Sequence, residues 1–163
     1  MKLTIGFSSP KKFKIGAKLI QLWMNKPYSH VYLKFDHNSG RKSVYHAAHG
    51  MVHFIAYENF LKQNITIKEY EIEITQEQRA KLLDHCLDIA GDPYSVMELV
   101  QIAAVDLCNS LKIDIIPEDK HGYICSELVG QFCTRDLGIE FVKPKYLLRP
   151  DDIEHGLELF YGK

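Results

Sequence analysis

The chain has 163 residues, 46% of them apolar and 25% charged, with a formal net charge of −1. That length suits one domain, taken as residues 1–163, with a core of its own. The balance is that of an ordinary globular protein, and global charge gives no reason to expect a nucleic-acid partner.

In chain order, residues 3–7 (LTIGF) read as a short strand, broken by SSPKK. The basic run KKFK at 11–14 reads as a solvated loop. Ile15, Leu19, Leu22 and Trp23 recur at helical spacing before Pro27 ends that helix. Residues 29–35 alternate and are rich in Val, Tyr and Phe, which predicts a strand. The polar turn DHNSG and the returning strand KSVYHAA complete a hairpin. MVHFIA at 51–56 is either a third strand or an extended loop, and YENFLKQ a short helix.

Residues 65–74 form a strand with Tyr70, Ile72 and Ile74 on one face. Thr75 and Gln78 have the spacing of a capping box, opening a helix that turns Leu82, Leu83, Cys86, Leu87 and Ala90 inward and closes at Gly91. A second, largely apolar helix is expected over 92–111, its LVQIAAVDL stretch facing the core, a membrane or a partner, and 112–122 as a loop. A third helix starts at Cys125 and runs to about Arg135 or Asp136, with Gly138 stopping it. IEFV at 139–142 is a possible strand, LLRPDDIEHG a turn started by Pro150, and LELFY at 157–161 a last strand. Hairpins dominate and βαβ alternation is missing, so the expected class is α+β, an antiparallel sheet packed on helices.

Cys86, Cys108, Cys125 and Cys133 form no CxxC pair. The opening residues lack the apolar core of a signal peptide, and no run suits a bilayer span, so free thiols in a reducing cytoplasm are expected, with no integral membrane segment. Cys125 differs from its fellows in opening a helix, where backbone N–H groups and the helix dipole favour a thiolate. An unperturbed thiol titrates near ~8.5, so a nucleophilic cysteine needs a base, and that base needs a third polar group to orient it. His30 and His46 lie on the two strands of the predicted hairpin and can be neighbours; a base on a strand has a fixed position. The sequence around His30 poses a difficulty. Alternation sets His30, Tyr32 and Lys34 opposite the apolar Val31, Leu33 and Phe35, so His30 precedes the regular strand, a bulge shifts the phase, or both faces are covered.

YSHV at 28–31, SVYHAA at 43–48 and YICSELV at 123–129 resemble the circularly permuted branch of the NlpC/P60 superfamily of papain-like proteins, in which the histidine precedes the cysteine. Lecithin retinol acyltransferase-like proteins share that order. GDPYS at 91–95 and RPDDI at 149–153 look like segments found between and after the catalytic elements there. The resemblance implies a permuted papain-like fold with Cys125 as nucleophile, His30 as base and His46 as the third polar residue, His49 being the substitute if the strand register slips. It makes the Cys125 N–H an oxyanion donor, with Tyr123 or Tyr28 as candidates for a second.

Three functions follow as expectations. The first is a cysteine hydrolase that cleaves an amide bond in a peptide or peptidoglycan-like substrate through a thioester, without metal or organic cofactor. The second is a lipid acyl hydrolase, acyltransferase or thioesterase using the same residues. The third is a binding module that keeps the fold but not the turnover. HAAHGMVH also invites a metal reading through His46, His49 and His53, but strand alternation sets His46 opposite the other two. Glu127 is either a first-turn acid favoured by the dipole or a holder of a basic substrate group. Substrate identity and oligomeric state are not written in the sequence.

Overall fold

The structure, a computed structural model, describes residues 1–48, 50–93, 102, 106, 108 and 124–162. The expected helix over 92–111 and the loop over 112–122 fall almost wholly outside them. Five strands are present: β1 (Lys2–Pro10), β2 (His30–Asp36), β3 (Lys42–Ala48), β4 (Met51–Ala56) and β5 (Asn64–Glu73). They form one antiparallel sheet in the order β4-β3-β2-β1-β5. The helices with described ranges are α1 (Ile15–Met24), α2 (Tyr57–Gln63), α3 (Gln76–Asp88), α4 (Cys125–Leu137) and α5 (Pro150–Tyr161), with a short 3-10 turn at Lys145–Leu147. The α+β class with an antiparallel sheet is as the sequence predicts.

The sheet is covered on both sides. Leu3, Ile5, Phe7, Val31, Leu33, Phe35, Tyr45 and Ala47 meet Leu82 and Cys86 of α3, Leu128, Val129 and Phe132 of α4, and Ile153 and Leu157 of α5. On the other side Tyr32 and Val44 pack on Phe60 of α2. Residues 31–35 are therefore all buried, which settles the alternation problem in β2: both of its faces are covered. Gly6 lets the Tyr32 ring lie across β1, because a Cβ there would fall 2.1 Å from the ring. Thr75 caps α3 as its spacing predicts: Gln78 N–H donates to Thr75 Oγ1 at 3.1 Å, and Thr75 N–H to Gln78 Oε1 at 2.9 Å.

Several expectations fail for physical reasons. β1 runs on through Ser8, Ser9 and Pro10, because these pair with Thr66, Ile65 and Asn64 of β5 after a register shift between Phe7 and Ser8; pairing overrides the local breaker signal, and Pro10, with no N–H, ends the strand. Leu87 is 64% exposed and Ala90 is also exposed, while Ile89 is buried; α3 stops at Asp88, so the helical phase ends before Ala90. IEFV is not a strand, although Ile139 is buried. The expected turn at RPDDI and strand at LELFY are instead one helix, α5, with Pro150 at its first position and Arg149 as N-cap. Ile153, Gly156 and Leu157 form its buried stripe. No helix among the described residues is long and apolar enough to cross a membrane.

Candidate functional site

The site lies where β2 begins. Left-handed Asn25 ends α1, and Ser29 N–H then bonds Ser8 O at 3.0 Å, which delivers the chain into β2 at His30. His37 N–H donates to Arg41 O at 3.0 Å, so residues 35, 33 and 31 of β2 direct their N–H groups toward β3. The β2–β3 register reaches Leu33↔Tyr45 and goes no further toward the start of β2. Val31 is the next residue with an N–H on that side, and its amide pulls the Cys125 thiol down. The pairing of β2 with β3 thus leaves a gap at the start of β2, and the Cys125 thiol lies near its Val31. His30 is the adjacent residue.

His30 and His46 meet across this gap, with His30 Nε2 2.9 Å from His46 Nδ1. His46 is 3% exposed, and its ring packs edge-on against Phe60 at 5.4 Å between centroids. The phenyl ring and the buried strand fix the imidazole, as an orienting residue requires. His53 lies directly across from His46 in the β3–β4 pairing, rings 4.8 Å apart. That corrects the strand-alternation reading, which set these two on opposite faces: the turn between β3 and β4 restarts the alternation. His49 is outside the described residues. Among the described residues, no three His, Cys, Asp or Glu side chains converge as a metal set.

Cys125 is the first residue of α4, after Ile124 in extended conformation, and is 4% exposed. Burial pushes its thiol up to about 11, against the pull of the N–H groups of Val31, Ser126 and Cys125 itself. Desolvation therefore outweighs the helix end, and the thiol is neutral near pH 7. Tyr28 is engaged elsewhere. Its hydroxyl donates to Glu154 Oε2 at 2.5 Å, and Lys68 Nζ donates to Glu154 Oε1 at 2.9 Å. Burial would raise the Glu154 carboxyl, but the hydrogen bonds from Lys26, Tyr28 and Lys68 prevail and hold it at about 2. The Tyr28 proton is thus committed to a structural anchor two residues before His30. Tyr123, the other oxyanion candidate, lies outside the described residues. Glu127 is buried and accepts a hydrogen bond from Gln131 Nε2 at 3.3 Å.

Beside the sulfur is a narrow slot of about 20 Å³, room for one water, lined by Ile20, Trp23, Ser29, Ile102, Leu148 and Arg149 among others. Arg149 is held there by Asp106 Oδ2 at 2.9 Å and Asp151 Oδ2 at 2.7 Å, with its guanidinium over the Trp23 ring. Leu148 comes close because Gly130 of α4 has no side chain; a Cβ would fall 2.4 Å from Leu148 Cδ1. Sequence reasoning missed the roles of Trp23 and Arg149 beside the thiol, and Pro150 was the available signal that a helix start places Arg149. A larger cavity of about 510 Å³ lies along α4 beside Gln131, Thr134, Arg135 and Lys143. Its described lining contains none of Cys125, His30 and His46.

No protein-family model matches the chain, and no curated protein matches it significantly.

Proposed function

We propose that the protein is a cysteine hydrolase of the circularly permuted papain-like kind, with Cys125 as nucleophile, His30 as base and His46 as the residue that orients His30. The observation that supports this reading is the shared location: the Val31 amide acts on the Cys125 thiol, and the preceding residue, His30, is hydrogen-bonded to His46 at 2.9 Å. Because the buried thiol rests in its neutral form, the reaction begins with proton transfer rather than from a standing thiolate. The reading requires the tautomer in which His30 Nε2–H donates to His46 Nδ1, which leaves Nδ1 of His30 as the base.

Nδ1 takes the thiol proton while sulfur attacks the carbonyl carbon of an amide. The carbonyl electron pair moves onto oxygen, which the Cys125 N–H stabilises. The intermediate collapses to a thioester, the C–N bond breaks, and His30 returns the proton to the leaving amine. His30 then takes a proton from water, which attacks the thioester. Collapse of this second intermediate breaks the C–S bond, releases the carboxylic acid and restores the thiol. The same steps hydrolyse an ester, with an alcohol as leaving group. The apolar residues beside the thiol, Ile20, Trp23, Ile102 and Leu148, support an ester with an apolar acyl group as the second reading of substrate, although the slot as it stands has room only for a water.

The test is acyl trapping. The protein is mixed separately with a fluorogenic peptide amide and with a fatty acyl p-nitrophenyl ester, then quenched in acid and weighed intact. The reading expects an acyl adduct on Cys125 with at least one of them and none in C125A. Turnover that survives C125A overturns it. A biological effect fully retained by C125A assigns the chain to the non-catalytic binding class.

A further inference from the structure

Helix α1 carries apolar residues on two opposite sides. Ala17, Ile20 and Met24 turn toward the protein, and Met24 is buried. Ile15, Leu19 and Leu22, at spacings of four and three, share the opposite side and are 69%, 61% and 65% exposed. Phe13, just before the helix, is 80% exposed. An outward stripe of this kind on a surface helix is not explained by the core.

The charge along the segment that carries the stripe is of one sign. No acidic residue occurs before Asp36, whereas Lys2, Lys11, Lys12, Lys14, Lys18, Lys26 and Lys34 do. Lys2, Lys26 and Lys34 are paired with Glu71, Glu154 and Glu69. Lys11, Lys12, Lys14 and Lys18, those flanking Phe13 and Ile15, form no ion pair among the described residues. A shallow groove of about 270 Å³ runs beside Leu22 between Lys18 and Lys26. Aliphatic and aromatic side chains in the middle with unpaired lysines at the edge match the two layers of an anionic bilayer surface, acyl chains below and phosphate above. A second copy of the chain would bring one lysine rim against another, and repulsion disfavours that contact.

We propose that α1, with the KKFK segment before it, is an interfacial helix that docks the protein on anionic lipid membranes through Phe13, Ile15, Leu19 and Leu22. The same helix gives Ile20 and Trp23 to the slot at Cys125, so docking holds that slot near the bilayer. The docking itself is independent of the cysteine chemistry.

The experiment is co-sedimentation of the full chain with phosphatidylcholine vesicles, with and without about 30% phosphatidylserine. Wild type and C125A are expected to bind the phosphatidylserine vesicles equally, and at least ~10-fold more strongly than phosphatidylcholine alone, with loss of binding in high salt. L19S/L22S and K12E/K14E/K18E, each shown folded by circular dichroism, are expected to bind ~10-fold or more weakly. Equal binding to both vesicle types, or undiminished binding by both folded variants, overturns the proposal. So does a wild-type dimer that L19S/L22S converts to monomer, since the stripe then belongs to a second copy.

Discussion

The two ends of the buried stripe of α4 carry a cysteine each, and their surroundings differ in one respect. Cys125 and Cys133 are 4% and 0% exposed and face the same core. Burial pushes both thiols up. At Cys133 only its own N–H opposes that, and the shift is the larger of the two. At Cys125 the N–H groups of Val31 and Ser126 add to its own and limit the rise to about 11. Mid-helix amides are spent on the helix ladder, whereas those of the first turn and of the strand beyond the end of its pairing are not. Equal burial therefore raises the two thiols to different extents, and the less raised one is the proposed nucleophile. Cys86 of α3, pushed up to about 12 by burial, belongs with Cys133.

The largest effect expected is on turnover. C125A is predicted to abolish acyl-enzyme formation and to lower hydrolysis by roughly 10³-fold or more, while C133A keeps turnover within about twofold. Intact-mass trapping and steady-state rates check this, and an equal loss in the two variants breaks the contrast. Next is the base. H30Q is predicted to lower kcat by about 10²–10⁴-fold. H46A acts through His30, so a smaller loss is expected together with a changed pH–rate profile, which a purely structural role would not produce.

The pH dependence of alkylation sharpens the comparison further. A thiol whose folded value is raised is neutral below it, so Cys125 labelling in H30Q should climb with pH toward about 11, with wild type labelling faster near neutrality through its base. The sign for stability is the same: the preference for a buried neutral thiol is complete below the unfolded value near ~8.5 and is lost as pH rises through about 11. Titrated labelling followed by peptide mapping separates Cys125 from Cys86 and Cys133.

The smallest effects concern support. E154Q removes the carboxylate that holds Tyr28, two residues before His30, together with Lys26 and Lys68. It should cost about 1–3 kcal/mol in urea unfolding and slow Cys125 labelling a few-fold without exposing Cys133. The Glu154 contribution is present above the unfolded carboxyl value near ~4.3 and is lost as pH falls through about 2. C133A should cost roughly 1–2 kcal/mol and leave labelling of Cys125 unchanged.

What the sequence made legible was local. The hairpin of β2 and β3 follows from alternation around DHNSG, the start of α3 from Thr75 and Gln78, and the span of α4 from Cys125 and Gly138. Contacts made at long range were hidden. Ser8–Pro10 read as a break because β5, more than 50 residues later, supplies their partners. Residues 157–161 read as a strand because the stripe of α5 begins earlier, at Ile153, inside what looked like a turn. The same limit applies at the site. His30, His46 and Cys125 could be chosen by residue type and position, but the gap that brings sulfur to Val31 arises because β2–β3 pairing reaches only Leu33. For Arg149 over Trp23, Pro150 signals only a helix start and says nothing of the partner ring.

The most direct measurement is competitive alkylation of the folded wild type and H30Q with a low concentration of iodoacetamide at neutral pH, read by peptide mass for each cysteine. The account predicts that Cys125 labels faster than Cys86 and Cys133 in the wild type and loses about tenfold or more of that rate in H30Q. If Cys125 labels no faster than Cys133, or H30Q leaves its rate untouched, the thiol is a packing residue and the proposed chemistry is wrong.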